Sequence, residues 1–206
     1  MLPVDYYKNV RFEIGEYIHS SPLLCEFGCG NGATLHWALE CHGVKEVIGF
    51  DIIENDSASF NYNRVDLNSF ASEKSTVPSA GHYLYLDVLE HLMDPFLFLK
   101  YVVAQSPVGS VHIMSLPNVI NYRVIIPMLL RGRFEYSDAG ILDRTHLHFF
   151  DKARCRKLAE ESGLAVEIIF PARLDVSTNS GKLNKLTLGL FERYLAFQYV
   201  IVGVKK

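Results

Sequence analysis

One stretch constrains the fold of this chain more than any other. The apolar run Leu23–Gly28 stops at the glycine-rich turn Gly28-Cys29-Gly30-Asn31-Gly32 and restarts with helical spacing over Ala33–Cys41. Gly43 supplies the usual stop for that helix. A second buried run, Glu46–Asp51, then ends on an acid. Strand, glycine turn, helix and strand make a βαβ unit, which requires parallel strands joined by a right-handed crossover.

The alternation continues along the chain. Asn63–Asp66 and His82–Asp87 read as strands, and Phe96–Gln105 reads as a helix opened by Asp94-Pro95 as N-cap and N1. Gly109–Ser115 is a strand stopped by Pro117, and Asp151–Ser162 is an amphipathic helix with Asp151 as cap and Gly163 as stop. Leu164–Phe170 and Phe197–Val204 are the last strands, and Asp5–Ser20 reads as a leading helix that ends near Pro22. Strands and helices in turn predict an α/β sandwich with a mostly parallel sheet. Three stretches break the rhythm. Ser69–Gly81 is polar and small, a surface loop. Residues 118–150 are long for a strand-to-helix connection and suit a lid or substrate wall. Residues 171–190 are irregular, with a mobile loop expected at the Ser-Thr-Asn-Ser-Gly cluster 177–181.

Length and charge narrow the classes. At 206 residues, 49% hydrophobic and 21% charged, the chain reads as one globular domain over residues 1–206. A net charge of −3 argues against binding nucleic acid through a global basic field. Residues 1–100 hold 6 Lys/Arg against 14 Asp/Glu, and residues 101–206 hold 14 against 9. That asymmetry fits two sites with different ligands, or a simple drift of surface charge. Cys25, Cys29, Cys41 and Cys155 make no paired zinc spacing, so free thiols in a reducing compartment are expected. No leader or bilayer-length apolar run is seen, so the expectation is a cytoplasmic protein without membrane insertion.

The glycine turn suits a ligand lying against bare backbone at the N-terminus of a helix. Its spacing, with Gly28, Gly30 and Ala33, also satisfies the dinucleotide form, which leaves a nicotinamide-type nucleotide enzyme open. Glu26 tilts the choice, because a pyrophosphate avoids an anion at the strand end, whereas a sulfonium ligand carrying an ammonium group is attracted to one. Asp51 is placed to accept bonds from ribose hydroxyls in either case.

The ordered motifs LLCEFGCGNGATL, VIGFDI, VDLNSF and YLYLDVLEHLMDP resemble those of class I S-adenosylmethionine-dependent methyltransferases. SLPNVINYRV and GRFEYSDAGILDRTHLHFFD resemble a small subgroup linked with glycoconjugate pathways. The resemblance runs from about Tyr6 to Ser162 and implies a doubly wound, mostly parallel seven-stranded sheet with one antiparallel strand. It also implies S-adenosylmethionine as cofactor and a small-molecule or glycan-precursor acceptor, methylated at O or N. By position, Glu26, Gly28, Gly30 and Gly32 would hold the methionyl moiety and Asp51 the ribose. Asp66 and the Leu67 amide would hold adenine, and Asp87 would lie beside the methionyl amino group. The span from Asp51 to Asp66 is short for the helix usual there. An inactive methyltransferase-like binding module is the non-enzymatic alternative.

The acceptor side rests on the dense run Leu142–Phe150. As an extended strand it would put Arg144, His146 and His148 on one face. His146 is then the first candidate proton acceptor, and His91, four residues beyond Asp87, the second. Asn118, Arg123, Arg144 and His148 are candidate acceptor contacts, and the Arg123, Arg131, Arg133 group suits an anion or a solvated helix face. His146 and His148 could ligate a metal, but no third ligand has firm spacing, so no metal is expected.

Overall fold

The computed structural model describes residues 9–55, 58–172, 174 and 177–206. Its strands are β1 (Leu23–Phe27), β2 (Glu46–Asp51), β3 (Asn61–Arg64), β4 (His82–Leu86), β5 (Val111–Pro117), β6 (Leu164–Ala172) and β7 (Gln198–Lys205). Its helices are α1 (Ala33–Cys41), α2 (Pro95–Gln105), α3 (Tyr122–Arg131), α4 (Lys152–Glu161), α5 (Asn179–Leu186) and α6 (Glu192–Leu195). The sheet order is β3-β2-β1-β4-β5-β7-β6. Neighbours from β3 to β5 pair in parallel, and β7 runs antiparallel to both β5 and β6. Strand order therefore reverses between β1 and β4, which opens a crevice at the carboxyl ends of those strands.

Both faces of the sheet are buried, and alternate residues of each strand serve opposite cores. Phe27, Tyr83 and Tyr85 face the side covered by α2 and α4, while Leu24, Leu84 and Leu86 face α1. Phe27 is the hub of the first core. Its ring lies 4.8 Å from Phe50, 5.3 Å from Phe98 and 5.5 Å from both Phe70 and Tyr85. Such offset and edge pairs add about 0.5–1.5 kcal/mol each beyond burial. The loop 69–81 is irregular, as its composition predicts, yet Phe70, Val77 and Ala80 anchor it in this core.

The structure departs from the sequence reading in four places. Of the leading helix expected over Asp5–Ser20, residues 5–8 lie outside the described residues, and the remainder forms only a 3-10 turn, Phe12–Tyr17. Gly15 weakens helix there, and a Cβ on it would sit 2.9 Å from the Trp37 ring, so the segment packs tightly on α1 instead of extending. β3 begins two residues earlier than expected and leaves Asp66 beyond its end. The cluster at 177–181 opens α5 rather than forming a mobile loop, because the Thr178 side chain caps that helix by accepting from the Gly181 N–H. The 118–150 segment carries α3, and its expected strand over 142–150 is a series of turns with only isolated bridges, Asn118 to Phe150 and Ser137 to Asp143.

Close packing joins the sheet to the glycine turn. A Cβ at Gly49 in β2 would lie 2.5 Å from Cys29 Sγ and 2.7 Å from the Phe60 ring. Gly49→Ala should cost about 1–3 kcal/mol through overpacking, read as a lowered midpoint of urea unfolding with unchanged slope.

Candidate functional site

The site begins where β1 ends. The Gly28 and Cys29 N–H groups both donate to the Phe50 carbonyl, at 2.7 and 3.3 Å, and the Gly30 N–H donates to Asp51 Oδ2 at 2.7 Å. Asp51 Oδ1 accepts from the Ile53 N–H at 3.2 Å. The turn after β1 is thus sewn to the end of β2. Gly28 and Gly30 take φ of +78° and +54°, which side-chain-bearing residues rarely adopt. A Cβ at Gly28 would also meet Val88 at 2.7 Å.

Above this turn lies a cavity of about 330 Å³ lined by Glu26, Gly28, Gly30, Asp51, Asp87 and Arg11, with Ile52 and Ile53 on one wall and His91 and Thr145 on another. Glu26 points up from β1 and is buried, and its Oε2 has no hydrogen-bond partner. Burial pushes its carboxyl up to about 8, opposed by Arg11 and reinforced by Asp51.

Asp87 follows β4 with φ of +56°, a strained conformation that its hydrogen bonds hold in place. Its N–H donates to Ser115 Oγ, and that hydroxyl donates back to Oδ1 at 2.8 Å. Gln198 Nε2 also donates to Oδ1, and Arg11 donates to Oδ2 at 2.5 Å. Arg11 is 6% exposed and donates through Nε to Glu13 at 2.7 Å. Burial opposes its charge, but Asp87 and Glu13 outweigh burial and hold its pKa above the ordinary value. Arg11 and Gln198 are among the site residues that the sequence did not disclose. They come from the amino-terminal turn and from β7, and no spacing relates them to the glycine motif.

The second wall presents His91 and Thr145, with Glu90 and residues 143–148 packed around them. The chain after Asp87 forms a single 3-10 turn, Leu89–His91. The Glu90 carbonyl accepts from the N–H groups of Leu147 and His148, at 2.9 and 3.2 Å, which pins residues 146–148 against it. His91 Nδ1 lies 3.0 Å from Thr145 Oγ1, and that hydroxyl donates to Asp143 Oδ1 at 2.6 Å. His146 Nδ1 lies 3.0 Å from the Ile141 carbonyl, its Nε2 lies 4.0 Å from Glu90 Oε1, and its ring meets His91 edge-on at 4.7 Å.

The sequence candidates therefore separate. Glu26, Gly28, Gly30, Asp51, Asp87 and His91 line one cavity, and Gly32 caps α1 just beside it. His146 stands behind His91, buried. Asp66 and Leu67 do not line the cavity. Asp66 is exposed and accepts from the Asn68 N–H, and Leu67 is core. The shared face expected for Arg144, His146 and His148 does not exist, because turns replace the strand. Arg144 is exposed and pairs with Asp138 at 2.6 Å, and His148 Nε2 contacts the Met93 carbonyl at 3.1 Å. Asn118 is fully buried, and its Nδ2 donates to the carbonyls of Arg193 and Ala196. Arg123 lies in a separate cavity with Thr178, Ser180 and Phe197. The metal pairing weighed from sequence, His146 with His148, is replaced by the group Glu90, His91 and His146, whose ligand atoms all lie within 4.8 Å of one another.

No protein-family model matches this chain, and no curated protein does. Solved structures do. A SAM-dependent methyltransferase from Archaeoglobus fulgidus superposes with a TM-score of 0.65 at 18% identity, over 98% of this chain and 97% of that one. An S-adenosylmethionine-dependent methyltransferase from Mesorhizobium loti gives 0.58 at 16%, over 91% and 92%. The 1,6-didemethyltoxoflavin-N1-methyltransferase of Burkholderia thailandensis, solved with 1,6-didemethyltoxoflavin and S-adenosylhomocysteine bound, gives 0.59 at 12%, over 94% and 74%. At these identities the likeness speaks to the fold, and the seven-stranded sheet with β7 reversed is the Rossmann-like methyltransferase fold.

The Arg11–Asp87 pair is the polar keystone of the cavity. Arg11→Met should cost about 2–4 kcal/mol, below the full range for a buried pair because Asp87 is partly exposed, measured by denaturant unfolding against wild type.

Proposed function

We propose that this chain is an S-adenosylmethionine-dependent methyltransferase acting on a small-molecule or glycoconjugate acceptor at oxygen or nitrogen. The observation that carries the reading is the charge pattern of the cavity. Three acidic side chains, Glu26, Asp51 and Asp87, converge on a glycine turn, and Glu26 has a buried oxygen without a partner. A pyrophosphate would be repelled there, while an ammonium or sulfonium group is attracted. The single cation lining the cavity, among the described residues, is Arg11, suited to a carboxylate. One cation for a carboxylate, two acids for an ammonium and one acid for a ribose match an amino-acid nucleoside.

In this reading Glu26 and Asp87 face the ammonium, Arg11 the carboxylate, and Asp51 the ribose. The adenine end goes to the wall of Ile52 and Ile53, because Asp66 and Leu67 lie outside the cavity lining. S-adenosylmethionine bound there would supply a methyl group activated by its sulfonium. The chain's own work is then alignment and exclusion of water. His91 and Thr145 form the wall that an acceptor would meet, with His146 behind them. Thr145 spends its proton on Asp143, so His91 Nδ1 must donate to Thr145. His146 Nδ1 must likewise donate to a carbonyl. In the neutral ring of each histidine the free lone pair therefore sits on Nε2. These imidazoles are the groups able to handle the proton of a hydroxyl or amine acceptor. Burial together with the neighbouring His91 lowers the pKa of His146, which keeps it neutral near pH 7. The 118–150 segment, which contributes Thr145, is proposed as the acceptor-side lid.

Calorimetry tests the cofactor assignment. S-adenosylmethionine and S-adenosylhomocysteine should bind one per chain, and NAD should not. Tight NAD binding alone would overturn the reading. Because burial holds the Glu26 carboxyl near 8, it is largely protonated in the free protein at pH 7. An incoming ammonium favours its ionised form, so binding at pH 7 should release close to one proton. That release appears as an enthalpy that changes with the ionisation heat of the buffer, vanishes in Glu26→Gln, and fades above about pH 9.

Once an acceptor is found by labelled-methyl transfer to a cell extract, His91→Ala and His146→Ala should each lower kcat by about 10²–10⁴-fold while leaving S-adenosylhomocysteine affinity within a few-fold. Turnover within a few-fold of wild type in both variants removes the histidines from the mechanism.

A further inference from the structure

We propose that Glu90, His91 and His146 form a divalent transition-metal site at the acceptor wall of the cavity. The proposal deepens the methyltransferase reading and rests on it for the role of the ion, though not for its binding.

Three side chains able to ligate a metal converge here. With Nδ1 donating in both rings, Nε2 is the atom that neutral His91 and His146 can offer a metal. The third group is the Glu90 carboxylate, 1% exposed, whose Oε2 has no hydrogen-bond partner. One ligand atom of each residue lies within 4.8 Å of the others, and His146 Nε2 is 4.0 Å from Glu90 Oε1. A cation bound between them would displace any proton held there and give the Glu90 oxygen its missing partner. Bonds of about 2.1 Å in a tetrahedron place ligand atoms about 3.4 Å apart, so the side chains close by about 1 Å around the ion.

The surroundings are those of a supported site. His91 is held by the Asp143–Thr145 relay, in which a carboxylate orients a hydroxyl and the hydroxyl orients the imidazole. His146 is held by the Ile141 carbonyl. Fixed Nδ1–H partners of this kind set the ring orientation of metal-binding histidines. Two imidazoles and one carboxylate suit Zn²⁺, Mn²⁺, Fe²⁺ or Co²⁺ and leave coordination positions open. His91 and Thr145 border the cavity, so the open side faces the proposed acceptor. The site then favours an oxygen acceptor. With the ion bound, the imidazole lone pairs are taken up as ligands and no longer accept a proton; the ion binds the acceptor hydroxyl and eases loss of its proton to solvent. An oxygen–methyl bond forms as the sulfur–methyl bond breaks, leaving a neutral thioether.

The test uses the full chain, stripped with chelator, and the metal alone as probe. Titration with Zn²⁺, Mn²⁺ and Co²⁺ followed by calorimetry, with the visible spectrum of the Co²⁺ form, should show one ion per chain at micromolar affinity or better and a raised melting temperature. Glu90→Gln and His146→Gln should each weaken binding by at least tenfold, and Thr145→Val by a smaller factor, because it touches only the support of His91. S-adenosylhomocysteine binding, measured on the same samples, reports the fold of each variant. Wild type that binds S-adenosylhomocysteine but no stoichiometric metal overturns the metal site and leaves the methyltransferase reading standing. Wild type that binds metal at this site but no S-adenosylhomocysteine supports the site and overturns the methyltransferase reading. Metal binding unchanged in both Glu90→Gln and His146→Gln overturns the assignment to these residues.

Discussion

The hydrogen bonds that fasten the turn after β1 to the end of β2 govern the rest of the site. Gly28 and Cys29 share the Phe50 carbonyl, and Gly30 takes Asp51 Oδ2. These bonds bend the chain sharply enough to open a hollow at the point where strand order reverses. They also place the Asp51 carboxylate on its rim. The bend requires backbone angles that glycine adopts without strain, and it leaves no Cβ at Gly28 to collide with Val88. A larger residue in the turn would close the hollow before any ligand chemistry arose.

Around that bend the molecule concentrates electrostatic conflict. Glu26 and Glu90 are both buried carboxyls with an unpartnered oxygen, and burial raises the pKa of each. Asp87 adds backbone strain, held by Ser115, Gln198 and Arg11. Buried polar groups left unsatisfied are costly, and a fold retains them where a ligand resolves the cost. One conflict faces the turn, where an ammonium fits. The other faces His91 and His146, where a cation fits. Glu26 and His91 line the same cavity, and Glu90 and His146 lie buried beside His91.

Local signals carried most of the element list. Asp94-Pro95, Asp151 and Gly43 mark helix ends by hydrogen-bond chemistry that acts within four residues, and all three stand where such chemistry places them. The same kind of signal is ambiguous at Thr178, which caps α5, since caps and loops both use Ser, Thr and Asn. The run 142–150 departs from its pattern for a different reason. Alternating residues suggest a strand, but a strand needs a partner, and here the Glu90 carbonyl draws in the Leu147 and His148 N–H groups in place of a ladder.

From sequence alone came the strand–turn–helix unit, the glycine bend and the acids Glu26, Asp51 and Asp87 at strand ends, because each follows from periodicity and from conformations open to few residue types. Tertiary structure alone decided that Arg11 and Gln198 meet Asp87 across 76 and 111 residues, that His148 and Arg144 turn away, and that Glu90 and His91 face His146. These are long-range encounters set by strand order and by which backbone groups find partners. Spacing along a chain carries no information about either.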